Sequence, residues 1–262
     1  KSVDWRAKGY VTELTNDQGS CGSCWTYGLT GTIEGQIAAK TGKVIPVSQQ
    51  HWMDCSAEEG TENGIEYGGN LACNGGLDYA GLTWSLLRNK GRIPSFDDYG
   101  ATNGGYLNVN NFCHFYEKTD VNPFTGKTIE PVAVLDSCTH VNDAWIDETV
   151  SQEDRVNTLL DALANVGSVS VSIAVSQDLY YYKSGVYDDL ENCGSRTLDL
   201  DHTVLAVGYE TDEAGNIAVI IRNSWSDVWG EQGYAKILVK SADGKVMNVC
   251  GVATSPLFVT LK

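Results

Sequence analysis

The 262-residue sequence is short of positive charge, with 18 Lys and Arg against 34 Asp and Glu and a formal net charge of −16. A surface that acidic repels nucleic acid and anionic membrane, so both are set aside as partners. It suits an acidic compartment, where partial protonation of carboxylates relieves self-repulsion, although acidic surfaces also simply keep proteins in solution. No apolar run approaches the ~18 residues that a membrane span needs. There are no internal repeats, no low-complexity tracts and no Asn-x-Ser/Thr sequon, which argues against sorting by an N-glycan on this stretch. No secretory leader is visible at Lys1-Ser2-Val3-Asp4, so a processed N-terminus is expected. Histidine is scarce: His51, His114, His140 and His202 are the four candidates for imidazole chemistry.

Cysteine, by contrast, is plentiful. Eight residues, at 21, 24, 55, 73, 113, 138, 193 and 250, point to an oxidising compartment and several disulfides. If one of them is a catalytic thiol, seven remain, and at least one more stays out of any pair within the chain.

Helical patterns come first along the chain. Trp25, Leu29, Ile33 and Ile37 recur four apart and the pattern stops at Gly42, which predicts an amphipathic helix over 24–40. Gly28, Gly31 and Gly35 each cost it roughly 1 kcal/mol relative to Ala, so close packing against that face is expected to compensate. Further helices are predicted from about Leu77 to Asn89, ended by Gly91, and from Ser151 to Gly167. Strands follow at Val169–Val175, Thr203–Tyr209, Ile217–Arg222 and Gly233–Val239. That order is α+β, with a mainly helical first lobe and a mainly β second lobe. Between Phe96 and Thr139 the signals weaken and the stretch reads largely as elaborated loop. Trp5, Trp52, Trp84 and Trp145 read as core, and His51, His114 and His140 as surface residues.

The densest chemical signal is Gln18-Gly19-Ser20-Cys21-Gly22-Ser23-Cys24-Trp25. A Gly-rich loop delivers Cys24 to the start of the first helix, where unpaired backbone N–H groups favour a thiolate. The run fits the pattern C-G-[SA]-C-[WY]. Downstream lie Asp201-His202, opening an apolar strand, then Arg222-Asn223-Ser224-Trp225 and Trp229-Gly230-Glu231-Gln232-Gly233-Tyr234. Together these resemble the papain/cathepsin L family of cysteine peptidases, from Val3-Asp4-Trp5-Arg6 to Cys250-Gly251.

The resemblance implies an α+β, papain-like two-lobed fold, with a helical left lobe, a β-barrel-like right lobe and the active-site cleft between them. Residues 1–262 would form one peptidase unit, with about 10–130 as the helical lobe and its inserted loops, and about 131–255 as the β-rich lobe. It also implies Cys24 as nucleophile, His202 as acid/base, Asn223 as its orienting partner with Trp225 shielding their bond, and Gln18 with the Cys24 N–H as oxyanion donors. His202 follows Cys24 by 178 residues, more than the usual ~130–150, so insertions are expected around 56–72 and 97–137.

Gly75 and Gly76 would present backbone to an extended peptide. Leu77, Asp78, Ser172, Leu200, Thr203 and Ser255 would line the pocket for the P2 side chain, with Asp201 and Trp225 as further substrate-binding residues. Asp78 stands where many relatives are apolar, so a mixed pocket tolerating Arg as well as apolar residues is expected. The resemblance further implies disulfides Cys21–Cys73, Cys55–Cys113 and Cys193–Cys250, worth ~2–4 kcal/mol each. Cys138 is left over as a competitor for Cys55. It implies polypeptide substrates, a cleaved inhibitory pro-segment, cystatin-like protein inhibitors, a monomer, a secreted or endolysosomal location, and no metal or organic cofactor. No paired histidines of an occluding loop are present, which favours endopeptidase over carboxydipeptidase.

Two other classes compete. Cys21-Gly22-Ser23-Cys24 is a C-x-x-C, the mark of a thiol–disulfide oxidoreductase, with Cys21 attacking. That reading leaves His202 and Asn223 without a task and lacks the βαβ context. A non-catalytic binding relative would be expected to have lost the nucleophile or the base, and both are here.

Overall fold

The computed structural model describes residues 2–13, 17–100, 106–116, 120–140, 147 and 149–262. It divides into two compact units, one of residues 1–17 with 139–258 and the other of 18–138 with 259–262. Trp145 lies outside the described residues. No helix among the described residues is long and apolar enough to cross a membrane.

The chain opens with strand β1 (Val3–Asp4), which belongs to the first unit. The second unit then begins with α1 (Cys24–Thr41), ended by Gly42 in the left-handed conformation at φ 74°. This helix is buried nearly all round, beyond the apolar stripe that its spacing predicts. The polar residues on its other faces are reconciled locally. Thr26 Oγ1 donates to Ser23 O (2.8 Å), Thr30 Oγ1 to Tyr27 O (3.3 Å), and Glu34 accepts from Val47 N–H (3.1 Å).

Helix α2 (Gln49–Cys55) is capped by Ser48, whose hydroxyl accepts from His51 N–H. It is too short for a sequence period to register. Next come the hairpin of β2 (Gly60–Glu62) and β3 (Ile65–Tyr67), α3 (Asp78–Arg88), β4 (Arg92–Pro94), α4 (Phe96–Tyr99) and β5 (Pro131–His140). Strand β5 pairs antiparallel with β4 in a stretch that the sequence presents as loop. Only Leu135 in it is fully buried, so it lacks the apolar alternation that would have marked it.

Two of the histidines expected at the surface are core residues. His51 is 0% exposed, with Trp52, Trp84, Tyr99 and Phe115 rings 5.0–5.6 Å from its own. His114, buried too, stacks on Tyr99 at 3.9 Å, with its ring nitrogens 3.1 Å from Phe112 O and 2.8 Å from Tyr99 O. Aromatic walls and local carbonyls make these imidazoles core material, and neither partner set is legible in sequence.

Beside His51, Asp54 accepts from Gln50 Nε2 (2.7 Å), Tyr99 Oη (3.0 Å) and Asn111 N–H (3.1 Å). Burial pushes its carboxyl up to about 7 against these bonds, and burial pushes His51 down to about 3. The signs oppose. Asp54 stabilises the fold fully below its ordinary 3.8 and loses this as pH rises towards 7. His51 stabilises above 6.5 and loses this as pH falls towards 3. Between about pH 4 and 6.5 the two cancel. The unfolding free energy of Asp54→Asn, from urea titrations, is expected to rise with pH across that window by on the order of 1 kcal/mol per pH unit, and that of His51→Phe to fall. Slopes parallel to wild type in both variants would contradict this.

The first unit resumes with α5 (Gln152–Asn165), capped by Ser151 accepting from Asp154 N–H. Strand β6 (Val169–Ile173), α6 (Gln177–Tyr180) and β7 (Val186–Tyr187) follow. The unit's sheet is completed by β8 (His202–Thr211), β9 (Ile217–Arg222), β10 (Tyr234–Lys240) and the start of β11 (Leu257–Leu261). Its strand order is β11-β6-β8-β9-β10-β7, antiparallel at each described pairing except β10–β7, with β1 beside the far end of β8. The N-terminal residues join this unit because Val3 and Asp4 pair with Tyr209 and Gly208, and Trp5 Nε1 donates to Leu163 O (2.9 Å). Val156, Leu159 and Leu163 of α5 pack with Val169, Val171, Val204 and Ala206 of the sheet. That packing makes the start of β8 a rigid mount.

Candidate active site

His202 is the first residue of β8, paired with Ile173 of β6, and is buried. Asn223 follows the last residue of β9, its backbone fixed by Asn223 N–H donating to Gly233 O (2.9 Å). Adjacent antiparallel strands therefore bring together two residues 21 apart in sequence. His202 Nε2 lies 2.8 Å from Asn223 Oδ1, which also accepts from Ser224 N–H at 2.8 Å. Because Oδ1 only accepts, the bond places the imidazole proton on Nε2 and leaves Nδ1 as the ring nitrogen able to take up a proton.

Trp225 stacks on the imidazole at 4.7 Å and 25° between planes, and is itself held by Trp229 (5.4 Å) and Tyr180 (5.2 Å). Trp229 Nε1 donates to Tyr180 O (3.1 Å). Burial pushes His202 below its ordinary value, with the Asn223 bond and the Asp201 charge acting the other way. Asp201 keeps its own backbone role, accepting from Val175 N–H at 2.9 Å.

In the other unit, Cys24 is the first residue of α1 and Ser23 stands at the cap position without a side-chain cap bond. Cys24 remains a thiol, half-buried, in the field of the first-turn N–H groups. Gln18 is buried, and its Nε2 donates one bond to Cys21 O (2.9 Å). Cys21 is joined to Cys73, and Gly22 N–H donates to Cys73 O (2.8 Å), tying the loop to the Gly75–Gly76 segment. Since Cys21 is bonded to Cys73 and not to Cys24, the C-x-x-C is not the dithiol that a redox motif uses.

Cys55 is joined to Cys113 and Cys193 to Cys250. Cys138 remains a thiol, pushed up to about 12 by burial and by the Asp78 carboxylate, which makes it a poor nucleophile.

Gly75, at φ 107° and ψ 171°, lies where side chains rarely go. Gly76 sits against Trp25 and Asn70. Asn70 Oδ1 also accepts from Leu77 N–H (2.8 Å), and its Nδ2 donates to Ser56 Oγ (3.0 Å), a bracket that no sequence signal announces. Leu77 is exposed, while Asp78 is buried at the start of α3 and accepts from Tyr79 N–H. In the first unit, Ser172 and Thr203 face each other across β6 and β8 with hydroxyls 3.4 Å apart. Leu200 abuts Gly251, and Ser255 is half-buried.

Comparison with known proteins matches residues 1–260 to the papain family cysteine proteases. The chain belongs to that family. A cathepsin L-like peptidase of Aedes aegypti is 38% identical over 97% of this chain and 61% of its own length. Procathepsin L of Mus musculus is 36% identical over 97% of this chain and 64% of its own. The chain thus spans about three-fifths of the length of these curated relatives. Among solved structures, digestive procathepsin L 3 of the Tenebrio molitor larval midgut is similar at TM-score 0.75 and 30% identity, covering 99% of this chain and 69% of that one. Bromelain of Ananas comosus, solved with the E64 inhibitor, reaches TM-score 0.72 at 26% identity over 100% of this chain and 99% of that one. These likenesses make the α+β fold of this family member papain-like.

Proposed function

We propose that this chain is a cysteine endopeptidase acting on polypeptides, with Cys24 as nucleophile and His202 as its acid and base. The observation that carries the reading is the 2.8 Å bond from His202 Nε2 to Asn223 Oδ1 under Trp225, which presents Nδ1 for proton transfer. Cys24 at the start of α1 supplies a thiol in a field that favours its thiolate. The reading requires the two side chains to meet as a thiolate–imidazolium pair, in which each charge stabilises the other.

The Cys24 thiolate attacks the peptide carbonyl carbon, and its electron pair forms the new C–S bond while the π pair moves to oxygen. The Gln18 amide and the Cys24 N–H receive that oxyanion. His202 gives its Nδ1 proton to the departing amine as the C–N bond breaks, leaving a thioester. Water, deprotonated by His202, then adds to the thioester carbon, and the C–S bond breaks with its electron pair on sulfur, which releases the acid and restores the thiolate–imidazolium pair. Neither step calls for a metal or an organic cofactor. The test is to trap the thioester: a specific peptide ester mixed with enzyme at acid pH should add one acyl mass to the peptide bearing Cys24. Turnover without acylation there would refute the assignment.

The Gly75–Gly76 backbone would pair with substrate on the acyl side, and Leu77, Asp78, Ser172, Leu200, Thr203 and Ser255 would receive the P2 side chain. A buried carboxylate at Asp78 supports a pocket that accepts Arg beside apolar residues. Asp78→Leu should lower the Arg-to-Leu ratio of kcat/KM at P2 by roughly ten-fold, the worth of about one charge-assisted bond. An unchanged ratio would sink this part alone.

The same reading includes a monomer in a secreted or endolysosomal setting. It also includes cystatin-like inhibitors and a cleaved inhibitory pro-segment, the last supported by relatives named procathepsin L.

A further inference from the structure

Residues 106–111, within the stretch expected as an insertion, lie across the loop that carries Cys24. Tyr106 Oη donates to Gln18 O at 2.9 Å and stands 2.6 Å from Ser23 Oγ. The Gln18 carbonyl can only accept, so the single phenolic proton is committed to it, and Ser23 must donate to the phenol. Ser23 occupies the cap position of α1, where a serine hydroxyl ordinarily accepts from first-turn N–H groups, yet it makes no cap bond. Its oxygen is turned to Tyr106 instead. The result is one chain, Ser23 to Tyr106 to Gln18, linking the residue before the nucleophile to the backbone of the oxyanion glutamine.

The segment is seated firmly. Gln50 accepts from Leu107 N–H (2.9 Å) and donates to Val109 O (2.9 Å). Asn111 N–H donates to Asp54 Oδ1 (3.1 Å), and Cys73 N–H to Asn110 Oδ1 (3.1 Å). The Asn108 amide lies so close to Gly19 that a Cβ there would overlap its Nδ2. The Tyr106 ring meets Tyr27 edge-on at 5.5 Å. These contacts hold the ring whether or not the hydroxyl is present.

We propose that Tyr106 is a positioning residue for the reaction, acting through Gln18 and Ser23. It fixes the oxyanion donor and keeps Ser23 from capping the helix beneath the nucleophile. The proposal rests on the peptidase reading above. Removing the hydroxyl takes the shorter of two bonds from the Gln18 carbonyl, which keeps the 3.4 Å bond from Cys21 N–H, and lets Ser23 turn to the first-turn N–H groups, which weakens the field on the thiolate.

Tyr106→Phe tests it by steady-state kinetics on a peptide substrate and by the pH profile of Cys24 alkylation with iodoacetamide. We expect kcat to fall roughly five- to twenty-fold with KM within about two-fold. The acid limb of alkylation should move up by roughly half a pH unit. Adding Ser23→Ala to Tyr106→Phe should bring that limb back towards its wild-type position, since no hydroxyl remains to cap. Unchanged kcat and limb, or a loss of activity that tracks a lower melting temperature with the limb unmoved, would overturn the proposal. Absence of rapid acid-pH labelling of Cys24 in the wild-type protein would instead sink the peptidase reading, and this inference with it.

Discussion

Replacement of His202 by alanine is expected to cost roughly 10⁴-fold in kcat, with the fold intact. Two losses combine. In the proposed mechanism the thiolate would lose the cation that stabilises it, and the leaving amine its proton donor. Since His202 is the buried first residue of β8, its removal takes from Asn223 Oδ1 the 2.8 Å imidazole bond and leaves that from Ser224 N–H. A modest drop in stability, on the order of 1 kcal/mol, should accompany the kinetic effect. Asn223→Ala should be milder, because the imidazole stays in place while its orientation and tautomer are no longer fixed. Single-turnover acylation separates the cases. A His202→Ala enzyme within ten-fold of wild type would remove histidine from the chemistry.

The second large effect is expected at Gly76. A Cβ there would stand 2.6 Å from Asn70 Oδ1 and 2.7 Å from Trp25 Cε2. Trp25 is wholly buried and bonded through Nε1 to Ala72 O (3.3 Å), and Asn70 is bonded on both sides. Neither neighbour can yield cheaply, so Gly76→Ala should lose about 1–3 kcal/mol of stability, the usual cost of overpacking. The same shift moves the backbone proposed to pair with substrate, and a displacement near 1 Å costs up to roughly 10² in rate. Gly75→Ala offers a contrast. Open space surrounds its Cβ position, but φ 107° and ψ 171° strain any side chain. Urea unfolding with kcat/KM on one substrate reads both effects. A Gly76→Ala enzyme as stable and active as wild type would show that this segment has more room than its contacts allow.

The residues proposed for the site stand out in sequence because they sit in dense local runs. Gln18 to Trp25 states a Gly-rich loop and a helix start in eight residues. His202 and Asn223 stand out instead through the family resemblance of Asp201-His202 and Asn223-Ser224-Trp225, since a lone histidine at a strand start reads as core. What remained hidden depends on contacts distant in sequence. Tyr106 reaches Gln18 over 88 residues from a stretch without period, and Asn70 brackets Leu77 from within a loop. His51 looked like a surface residue because a histidine beside Gln50 and Asp54 reads as polar, whereas four aromatic rings enclose it. Strand β5 escaped because half-buried strands with a single core residue carry no alternation.

The proposed peptidase stands or falls with a reactive thiolate–imidazolium pair of Cys24 and His202. Site-resolved alkylation by iodoacetamide at about pH 5, far below the ordinary thiol range, tests it most directly when read by peptide mass spectrometry. Rapid labelling is expected at Cys24 alone and is lost in His202→Ala, with Cys138 silent because burial and Asp78 push its thiol up to about 12. Labelling of Cys24 at the same rate with or without His202, or no fast labelling at all, would contradict it.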